Sequence, residues 1–392
     1  MRGKFIITRY KGRILTAYAE EHKILQINFD DEDSSILNNI YIGKVKNILL
    51  NINAAFIDIG NNQICYYSLD DNQSPIFTKK SGKKKLAKGD ELFVQVSKEG
   101  VKSKAPVVTS HLNFTGKYVV LTSGKQKLGI STKITDKKWR EAIRKTFLQY
   151  QNQEYGFIVR TNARNVTPEE IKKECESLIR LYESTKQDGK FRTCYSCVWK
   201  AIPSYIAGIR DSYENVLEKI ITDDSLLYER IRQYLADYSP KDANKLQLYK
   251  DPLLPLAKLY SLDTVIEKAL NEKVWLKSGG YLIIQPTEAL VVIDVNTGKF
   301  TGKKNLQETI MKINLEAAAE ISYQIRLRNL SGIIIVDFID LVRQEDKDYL
   351  MKEFDQLLAK DPIKTTLIGL TPLNLAELTR KKIRKPIYEQ IK

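Results

Sequence analysis

Alternating and periodic apolar positions divide the chain into strand-rich and helix-rich stretches. Residues 1–36 carry the short apolar runs FIIT, RILTAY and ILQINF, which predict two or three strands in a meander. Five alternating runs follow between residues 38 and 112, and each predicts a short strand. Five such strands with turn residues between them indicate a small closed β-barrel of the OB type, a fold that commonly binds single-stranded nucleic acid.

Helix patterns become frequent in the second half of the chain. Residues 116–203 mix strands with helices, and the sequence TPEE at 167–170 predicts a helix that begins with a capping Thr and a Pro. Residues 204–270 are predicted to be mostly helical. Residues 271–385 contain hairpin-like strands, a long helix, the strand GIIIVDF, another helix and the strand TTLIGLT. Strand, helix and strand in succession predict a βαβ unit, and the whole chain is therefore predicted to be a multidomain α/β protein.

Composition narrows the class of partner. The chain has 392 residues, enough for two or three domains, and a formal net charge of +15, which favours a polyanion such as nucleic acid or, less well, an acidic membrane surface. No apolar run approaches the roughly 18 residues of a membrane span, and the first residues lack a signal-peptide pattern. Four cysteines do not form a disulfide framework, so a cytoplasmic location is predicted. With only two histidines, a metal site would depend on carboxylates.

Two apolar runs each contain an aspartate near their end. Ala289–Val295 includes Asp294 and Gly332–Phe338 includes Asp337, and both runs predict strands buried on both faces of a partly parallel sheet. A helix over about 306–327 joins them and has one apolar face. Carboxyl ends of neighbouring strands are where open α/β sheets bind ligands.

Two carboxylates at one sheet edge suit Mg²⁺, with Mn²⁺ as the alternative ion. Asn296 and Asp340 add polar groups nearby, and Asn296 could hydrogen-bond a ligating carboxylate. A single Asp at a strand end is more often a turn or capping residue, so the prediction depends on the pairing of Asp294 with Asp337.

The predicted barrel offers a second candidate site. Phe56 and Tyr66 fall on adjacent strands, where aromatic rings can stack bases, although Phe in a strand is more often part of the core. A neighbouring loop is rich in lysines that either contact phosphates or are simply solvated: Lys79, Lys80, Lys83, Lys84, Lys85 and Lys88.

Two shorter motifs complete the candidates. Arg160 and Thr161 close the strand YGFIV, and an arginine with a hydroxyl group can clasp a phosphate, although a lone surface arginine is usually only solvated. The Cys-x-x-Cys at 194–197 has no second pair to complete a zinc site and is given no role.

Several of these stretches together resemble one family. Residues 291–341 (VVIDVN through VDFIDL) strongly resemble the catalytic core of the bacterial RNase E/G endoribonucleases, most of all the RNase G branch. Residues 38–60 resemble the start of the family's S1-type domain, YGFIVRTNA its 5′-monophosphate sensor, and residues 367–386 the end of its catalytic region. The resemblance covers residues 1–385 in order and spacing.

The resemblance implies a particular fold. Residues 1–36 and 204–270 would form a discontinuous RNase H-like subdomain, residues 37–112 an S1-type OB-fold RNA-binding domain, residues 113–203 the 5′ sensor region and residues 271–385 a DNase I-like catalytic subdomain.

The resemblance also implies residue roles. Asp294 and Asp337 would bind the catalytic metal, and Asn296 would orient one of them. The implied 5′-phosphate sensor comprises Arg160, Thr161, Gly116, Val120 and Lys364, the last of which stands where the family has an arginine and so lacks the bidentate fork. The implied RNA contacts are Phe56, Tyr66 and Lys104, with Tyr66 in a position where the family commonly has Phe.

The implied function is a Mg²⁺-dependent endoribonuclease that cleaves single-stranded RNA, is stimulated by a 5′-monophosphate and acts in rRNA maturation or mRNA decay. A non-catalytic RNA-binding or assembly protein on the same scaffold is the alternative, and a DNA-directed nuclease also stays open. The family's zinc-binding Cys-x-x-Cys, which links two protomers, does not occur before Lys392. Structural zinc is therefore not expected in this chain, and a homodimer, if one forms, would lack that link.

Overall fold

The chain forms two compact units in its computed structural model, which describes residues 3–32, 35–82, 85–100, 104–150, 152–212, 217–298 and 306–391. Met1–Asp31 and Asn215–Lys392 together form one unit, named the split unit because two separate parts of the chain build it. Glu32–Glu214 form the other, named the barrel unit.

The described strands are short, none longer than ten residues. In chain order they are β1 (Gly3–Tyr10), β2 (Arg13–Glu20), β3 (Lys23–Asp30), β4 (Ile40–Leu49), β5 (Ala54–Asp58), β6 (Ile64–Ser68), β7 (Phe77–Lys79), β8 (Glu91–Lys98), β9 (Val107–Thr109), β10 (Asn113–Thr115), β11 (Val119–Ser123), β12 (Gly129–Ile130), β13 (Tyr155–Val159), β14 (Cys197–Trp199), β15 (Leu217–Thr222), β16 (Leu246–Leu248), β17 (Lys273–Trp275), β18 (Tyr281–Pro286), β19 (Leu290–Asn296), β20 (Gly332–Asp337), β21 (Thr365–Leu370) and β22 (Leu375–Arg380).

The described α-helices vary from single turns to more than twenty residues. They are α1 (Lys137–Phe147), α2 (Pro168–Lys190), α3 (Ser204–Asp211), α4 (Ser225–Tyr238), α5 (Leu256–Leu259), α6 (Leu262–Leu270), α7 (Leu306–Leu327), α8 (Gln344–Leu358) and α9 (Ile387–Gln390). Short 3₁₀ turns occur at Leu50–Ile52, Leu148–Tyr150, Thr161–Asn165 and Pro240–Lys245. Within the described ranges, no helix has both the length and the apolar character to cross a membrane.

Five strands of the barrel unit close on themselves. The hydrogen-bonded order is β4-β5-β6-β9-β8, and β4 also pairs with β8, which completes the ring. Alternate residues point inward, and Ile57, Tyr67 and Val94 are among those that are fully buried there. The five predicted strands and the closed barrel are confirmed, and the architecture is consistent with an OB-like fold.

A second sheet of the barrel unit has the order β10-β11-β13-β12 and packs against α1 and α2. The predicted start of α2 is confirmed, because the Thr167 side chain accepts a hydrogen bond from the backbone N–H of Glu170 at 3.3 Å and Pro168 occupies the first turn. This sheet carries the Arg160 region at the end of β13.

The split unit contains a five-stranded sheet of order β16-β15-β1-β2-β3. The predicted N-terminal meander is confirmed, since β1, β2 and β3 pair antiparallel. Residues 204–270 are mostly helical, as predicted, but they also contain the strands β15 and β16, which were not predicted and run parallel to β1. Ile220 and Thr222 of β15 are fully buried. The strand that pairs with β15 is β1, from the distant N-terminus, and a local sequence pattern could not indicate this pairing.

The second sheet of the split unit has the order β17-β18-β19-β20-β22-β21. β19 and β20 are parallel, as the βαβ prediction requires, whereas β22 inserts antiparallel beside β20 and was not predicted. Helix α7 has the predicted bounds, and its residues Ile310, Ile313 and Ile321 pack into the core beneath the sheet. The side chain of Leu306, the first residue of α7, lies outside the described residues.

One face of this sheet is only partly buried, so the expectation that β19 and β20 are buried on both faces is wrong. Ile293 of β19 is fully buried against α7 and α8, whereas the alternate residue Val292 is half-buried and Ile333 of β20 is 50% exposed. The physical reason is that α7 and α8 both pack on the same face. The face opposite α7 and α8, which carries Asp294, is named the open face.

Candidate functional site

Asp294 and Asp337 lie side by side on the open face. They are Cα partners in the parallel ladder of β19 and β20. Neighbouring strands lie about 4.8 Å apart, and paired residues project from the same face. Asp337 is the last residue of β20, and Asp294 is two residues from the end of β19, so both carboxylates sit near the carboxyl edge of the parallel pair.

Asn296 is positioned to hold one of the two carboxylates. It lies two residues after Asp294, and therefore on the same face, and its Nδ2 donates a hydrogen bond of 2.7 Å to Asp294 Oδ2. The structure thus contains the contact predicted for this pair. Its role in orienting a metal ligand stays a prediction.

The electrostatics of the site come from crowded negative charge. Partial desolvation, together with the carboxylates of Asp294 and Asp340, raises the pKa of Asp337 above its ordinary value. Asp340 in turn accepts a weak hydrogen bond of 3.4 Å from Asn374 Nδ2. A cation at this edge would offset the repulsion between the carboxylates.

The donor set fits a hard divalent cation. Mg²⁺ typically takes one or two protein carboxylates and completes its shell with waters and phosphate oxygens. The described part of the chain holds no group of three or more His, Cys, Asp or Glu side chains suited to a metal ion. The pair Asp294 and Asp337 offers two carboxylates to such an ion, and that they bind one stays a prediction.

The two predicted barrel aromatics also meet. Phe56 on β5 and Tyr66 on β6 are Cα partners, and their ring centroids are 6.3 Å apart at an interplanar angle of 83°. Both rings are partly exposed, whereas their chain neighbours Ile57 and Cys65 are fully buried in the barrel. Phe56 and Tyr66 therefore belong to the outer surface of the barrel rather than to its core.

Several lysines of the barrel unit are solvent-exposed. Lys104 is exposed, as are Lys79, Lys80, Lys85 and Lys88 of the lysine-rich loop, and Lys80 Nζ lies 4.3 Å from the ring centroid of Phe77. Lys83 and Lys84 of the same predicted cluster lie outside the described residues. Contact of these lysines with phosphates stays a prediction.

Arg160 is held by two partners at the end of β13. Its guanidinium donates to the carbonyl oxygen of Gly116 at 2.7 Å and to Asp211 Oδ1 at 2.8 Å. Arg210 also donates to Asp211, at 2.8 Å. Although partial burial acts in the opposite direction, these two arginines hold the pKa of Asp211 below its ordinary value.

Thr161 and Gly116 are positioned by further contacts. The Thr161 hydroxyl lies 2.8 Å from the hydroxyl of Ser131. The carboxylate of Glu174 accepts hydrogen bonds of 2.6–2.8 Å from the backbone N–H groups of the three residues after Gly116, 117–119. A Cβ atom at position 116 would lie 2.5 Å from the Glu174 carboxyl carbon, so a larger residue there would displace the carboxylate from these hydrogen bonds.

The remaining sensor candidates divide between the two units. Val120 pairs with Ile158 in the ladder of β11 and β13, two residues before Arg160. Lys364 belongs to the split unit, just before β21, and its place in a phosphate site stays a prediction.

Asp211, Glu174 and Ser131 contact the candidate sensor residues or their chain neighbours, and the sequence did not indicate these contacts. Asp211 is 51 residues from Arg160, and Glu174 is 55 residues from Val119, the nearest in sequence of the backbone N–H groups that donate to its carboxylate. Acidic residues on exposed helix patterns carry no signal of such pairing. The one available signal was the adjacent pair Arg210-Asp211 at the end of a short helix.

Comparison with known proteins identifies the family of the chain. The family model described as "Ribonuclease E/G family" matches residues 113–383. A protein named Ribonuclease G from Salmonella typhimurium (strain SL1344) is 32% identical over 398 residues, which cover 99% of this chain and 81% of that protein. The chain belongs to the ribonuclease E/G family. Ribonuclease G from Escherichia coli (strain K12) is 31% identical with the same coverage.

The ribonuclease E branch is also represented. Ribonuclease E from Nostoc sp. (strain PCC 7120) is 32% identical over 385 residues, which cover 95% of this chain and 56% of that protein. The ribonuclease E/G family model spans both Asp294 and Arg160, whereas the barrel lies before its first matched residue. Similarity over the barrel is carried by the individual relatives, whose alignments span nearly the whole chain.

Proposed function

We propose that this chain is an endoribonuclease that cleaves single-stranded RNA at the Asp294–Asp337 pair. Membership of the ribonuclease E/G family supports RNA cleavage and RNA processing. The observation that carries the proposal is the parallel register in which the two aspartates are partners on the open face.

A divalent ion is part of this proposal. The family match supports a divalent metal in general, and the two-carboxylate donor set favours Mg²⁺, with Mn²⁺ as the alternative. A bound ion of this kind supplies Lewis-acid charge at a phosphate and lowers the pKa of its water. Asp294 and Asp337 would hold the ion, and the Asn296 amide would keep Asp294 in one orientation through its 2.7 Å hydrogen bond.

The barrel unit would bind the RNA strand. Phe56 and Tyr66 present partly exposed rings on the outer surface of the barrel, and Lys104 adds an exposed charge in the same unit. Base stacking on such rings requires unpaired bases, because bases within a duplex are already stacked on each other. The proposal therefore includes a preference for single strands.

Arg160 and Thr161 would bind the 5′-monophosphate of the RNA. An arginine fork can donate two parallel hydrogen bonds to a phosphate, and a neighbouring hydroxyl adds a third. Gly116 and Val120 would support this pocket through the backbone next to Arg160, and Lys364 would add a cation without a fork. Stimulation by a 5′-monophosphate follows from this assignment.

The finer domain assignments remain part of the proposal. The meander β1–β3 with β15 and β16 parallel to β1 supports an RNase H-like subdomain built from the first 36 residues and residues 204–270. A DNase I-like subdomain over 271–385 would contain the sheet with Asp294. Action on rRNA precursors or decaying mRNA, a cytoplasmic location and dimer formation without the zinc link are likewise proposals.

Cleavage of a labelled single-stranded RNA oligonucleotide tests the function. The wild type should cut this RNA in Mg²⁺ and should not cut it in EDTA. Asp294→Asn and Asp337→Asn should abolish cutting, because the uncharged Asn keeps the side-chain shape but is a poor Mg²⁺ ligand. The RNA affinity of both variants should stay unchanged within about twofold. The matched control is Asp355→Asn, an exposed carboxylate on α8, which should cut like the wild type.

Two outcomes would contradict the proposal. Cutting that persists in Asp294→Asn or Asp337→Asn would remove the metal assignment. Metal-independent binding with no cutting by the wild type would indicate the alternative, an RNA-binding protein without catalysis.

A further inference from the structure

We propose that Trp275, Tyr281 and Lys273 form a nucleobase subsite on the open face, beside the candidate metal carboxylates. The inference deepens the proposed function and rests on it: the subsite would bind the base of a nucleotide near the scissile phosphate of single-stranded RNA. The observation behind it is the strand register, which aligns these three side chains with Asp294 and Asn296.

The register defines two rows of side chains across the sheet. Trp275 of β17 is the antiparallel partner of Tyr281 on β18, and Tyr281 is the partner of Asn296 on β19. Directly opposite residues in an antiparallel ladder project from the same face. Trp275, Tyr281 and Asn296 therefore form one row on the open face.

The adjacent row on the same face contains the carboxylates. Lys273 pairs with Ile283, Ile283 pairs with Asp294, and Asp294 pairs with Asp337. Two strand spacings separate β17 from β19, which is about 10 Å. The aromatic pair and the acidic pair are thus neighbours on a single surface, with no change of face between them.

The aromatic groups form a compact, partly open cluster. The ring centroids of Trp275 and Tyr281 are 5.3 Å apart at 63°, and Lys273 Nζ lies 4.1 Å from the first centroid and 3.8 Å from the second. Trp275 is nevertheless 65% exposed. The lysine contacts both rings, and the exposure of Trp275 leaves ring surface for a planar ligand.

Two explanations compete for this cluster. A lysine over exposed rings weakly stabilises an edge strand, and that alone would account for the geometry. The position of the cluster favours a ligand instead, because a tryptophan at an edge strand leaves a large apolar surface in water beside a polar site. An aromatic ring with an adjacent cation matches the two parts of a nucleotide, its base and its phosphate.

A set of RNA substrates tests the subsite. Each substrate has one cleavage site and one abasic nucleotide, and the position of the abasic nucleotide differs from one substrate to the next. In the wild type, removal of the base that stacks on Trp275 should lower kcat/KM about tenfold, in line with the stacking of one base on an aromatic side chain. Trp275→Ala should lower kcat/KM on the intact substrate to a similar extent. The abasic nucleotide should then have no further effect in this variant, because base and ring act as one pair.

Matched variants control for folding and for general loss of aromatic surface. Trp275→Phe should recover most of the activity that Trp275→Ala loses. Tyr349→Ala removes an aromatic side chain on α8 that is 50% exposed. This variant should cut like the wild type and show the same dependence on the abasic position. Thermal unfolding of each variant confirms that the sheet is intact.

The outcomes separate the subsite from the function itself. If Trp275→Ala keeps the wild-type abasic pattern, or if no abasic position affects the wild type, the subsite is overturned while the nuclease assignment stands. If the wild type does not cut the intact RNA at all, the proposed function fails first. A tenfold effect of one abasic position that disappears only in Trp275→Ala supports the subsite.

Discussion

The acidic pair of the split unit and the arginine site of the barrel unit differ in how their charges are arranged. Asp294 and Asp337 place like charges side by side, and the partner that holds Asp294 is a neutral amide, Asn296. Arg160 instead contacts a carboxylate of its own chain, Asp211, at 2.8 Å. The acidic pair therefore concentrates negative charge, whereas the arginine site pairs a positive charge with a negative one.

This difference in charge determines which ligand each site favours and how strongly. Partial desolvation and the charges of neighbouring carboxylates raise the pKa of Asp337, and the repulsion between these carboxylates favours a cation that binds between them. A phosphate that approaches Arg160 must instead compete with Asp211 or share the guanidinium with it. We therefore expect cation binding to be essential at the first site and phosphate binding to be a modest, adjustable effect at the second.

Of the three substitutions that probe this contrast, Asn296→Ala should produce the largest effect. Loss of the 2.7 Å hydrogen bond frees Asp294 to rotate, and loss of a partner that orients a metal ligand typically costs 10–100-fold in metal affinity or activity. The Mg²⁺ concentration for half-maximal cleavage should rise by about that factor. Gln285→Ala, at an exposed position of the same face, is the control, and an unchanged Mg²⁺ requirement in Asn296→Ala would contradict the orienting role.

Arg160→Ala should have a smaller and more selective effect. A charge-assisted hydrogen bond contributes about 1.5–3 kcal/mol, and the guanidinium that is shared with Asp211 should give the lower end of this range. The preference for 5′-monophosphate over 5′-hydroxyl RNA should therefore fall about tenfold, while cleavage of hydroxyl-ended RNA stays the same. Rates on the two substrates, measured in parallel, give this ratio. Arg164→Ala, an exposed arginine in the next 3₁₀ turn, should preserve the ratio. A preference that survives Arg160→Ala would rule out the sensor.

Local sequence patterns were sufficient where an element depends on its own residues. The five barrel strands, the start of α2 at Thr167 and the bounds of α7 all follow from alternation, capping or a 3.6-residue period. The positions of Asp294 and Asp337 near strand ends were equally visible, because each lies near the end of an apolar run.

Features that depend on distant partners were not predictable in the same way. β15 is a strand because β1, more than 200 residues earlier, offers it a parallel edge, and the open face exists because α7 and α8 share one side of the sheet. The row that joins Trp275 to Asn296 requires the register of three strands. Asp211 gains its importance only from the fold that brings it to Arg160.

Asp211→Asn should change phosphate preference in the direction opposite to Arg160→Ala. The neutral side chain still accepts a hydrogen bond, and the Gly116 carbonyl still holds the guanidinium, but the competing charge is gone. A partly exposed ion pair contributes about 0.2–1 kcal/mol, so preference for 5′-monophosphate RNA should increase by up to about fivefold. A fall in the same kinetic ratio would instead indicate that Asp211 positions Arg160 and does not compete with the phosphate.

The smallest effect concerns stability and pH. Because the folded-state pKa of Asp211 is lowered by Arg160 and Arg210, its charged form stabilises the fold above the unfolded-state pKa, and this contribution is lost as pH falls through the folded-state value. Asp211→Asn should therefore lower the Tm at pH 7 by roughly 2–4 °C at most, since a partly exposed pair contributes no more than about 1 kcal/mol. The difference from wild type should shrink below about pH 4, where the carboxylate of the unfolded chain becomes protonated. Asp188→Asn, an exposed position on α2, is the control, and a Tm difference that stays constant from pH 7 to pH 3 would show that the two arginines do not stabilise the charge of Asp211.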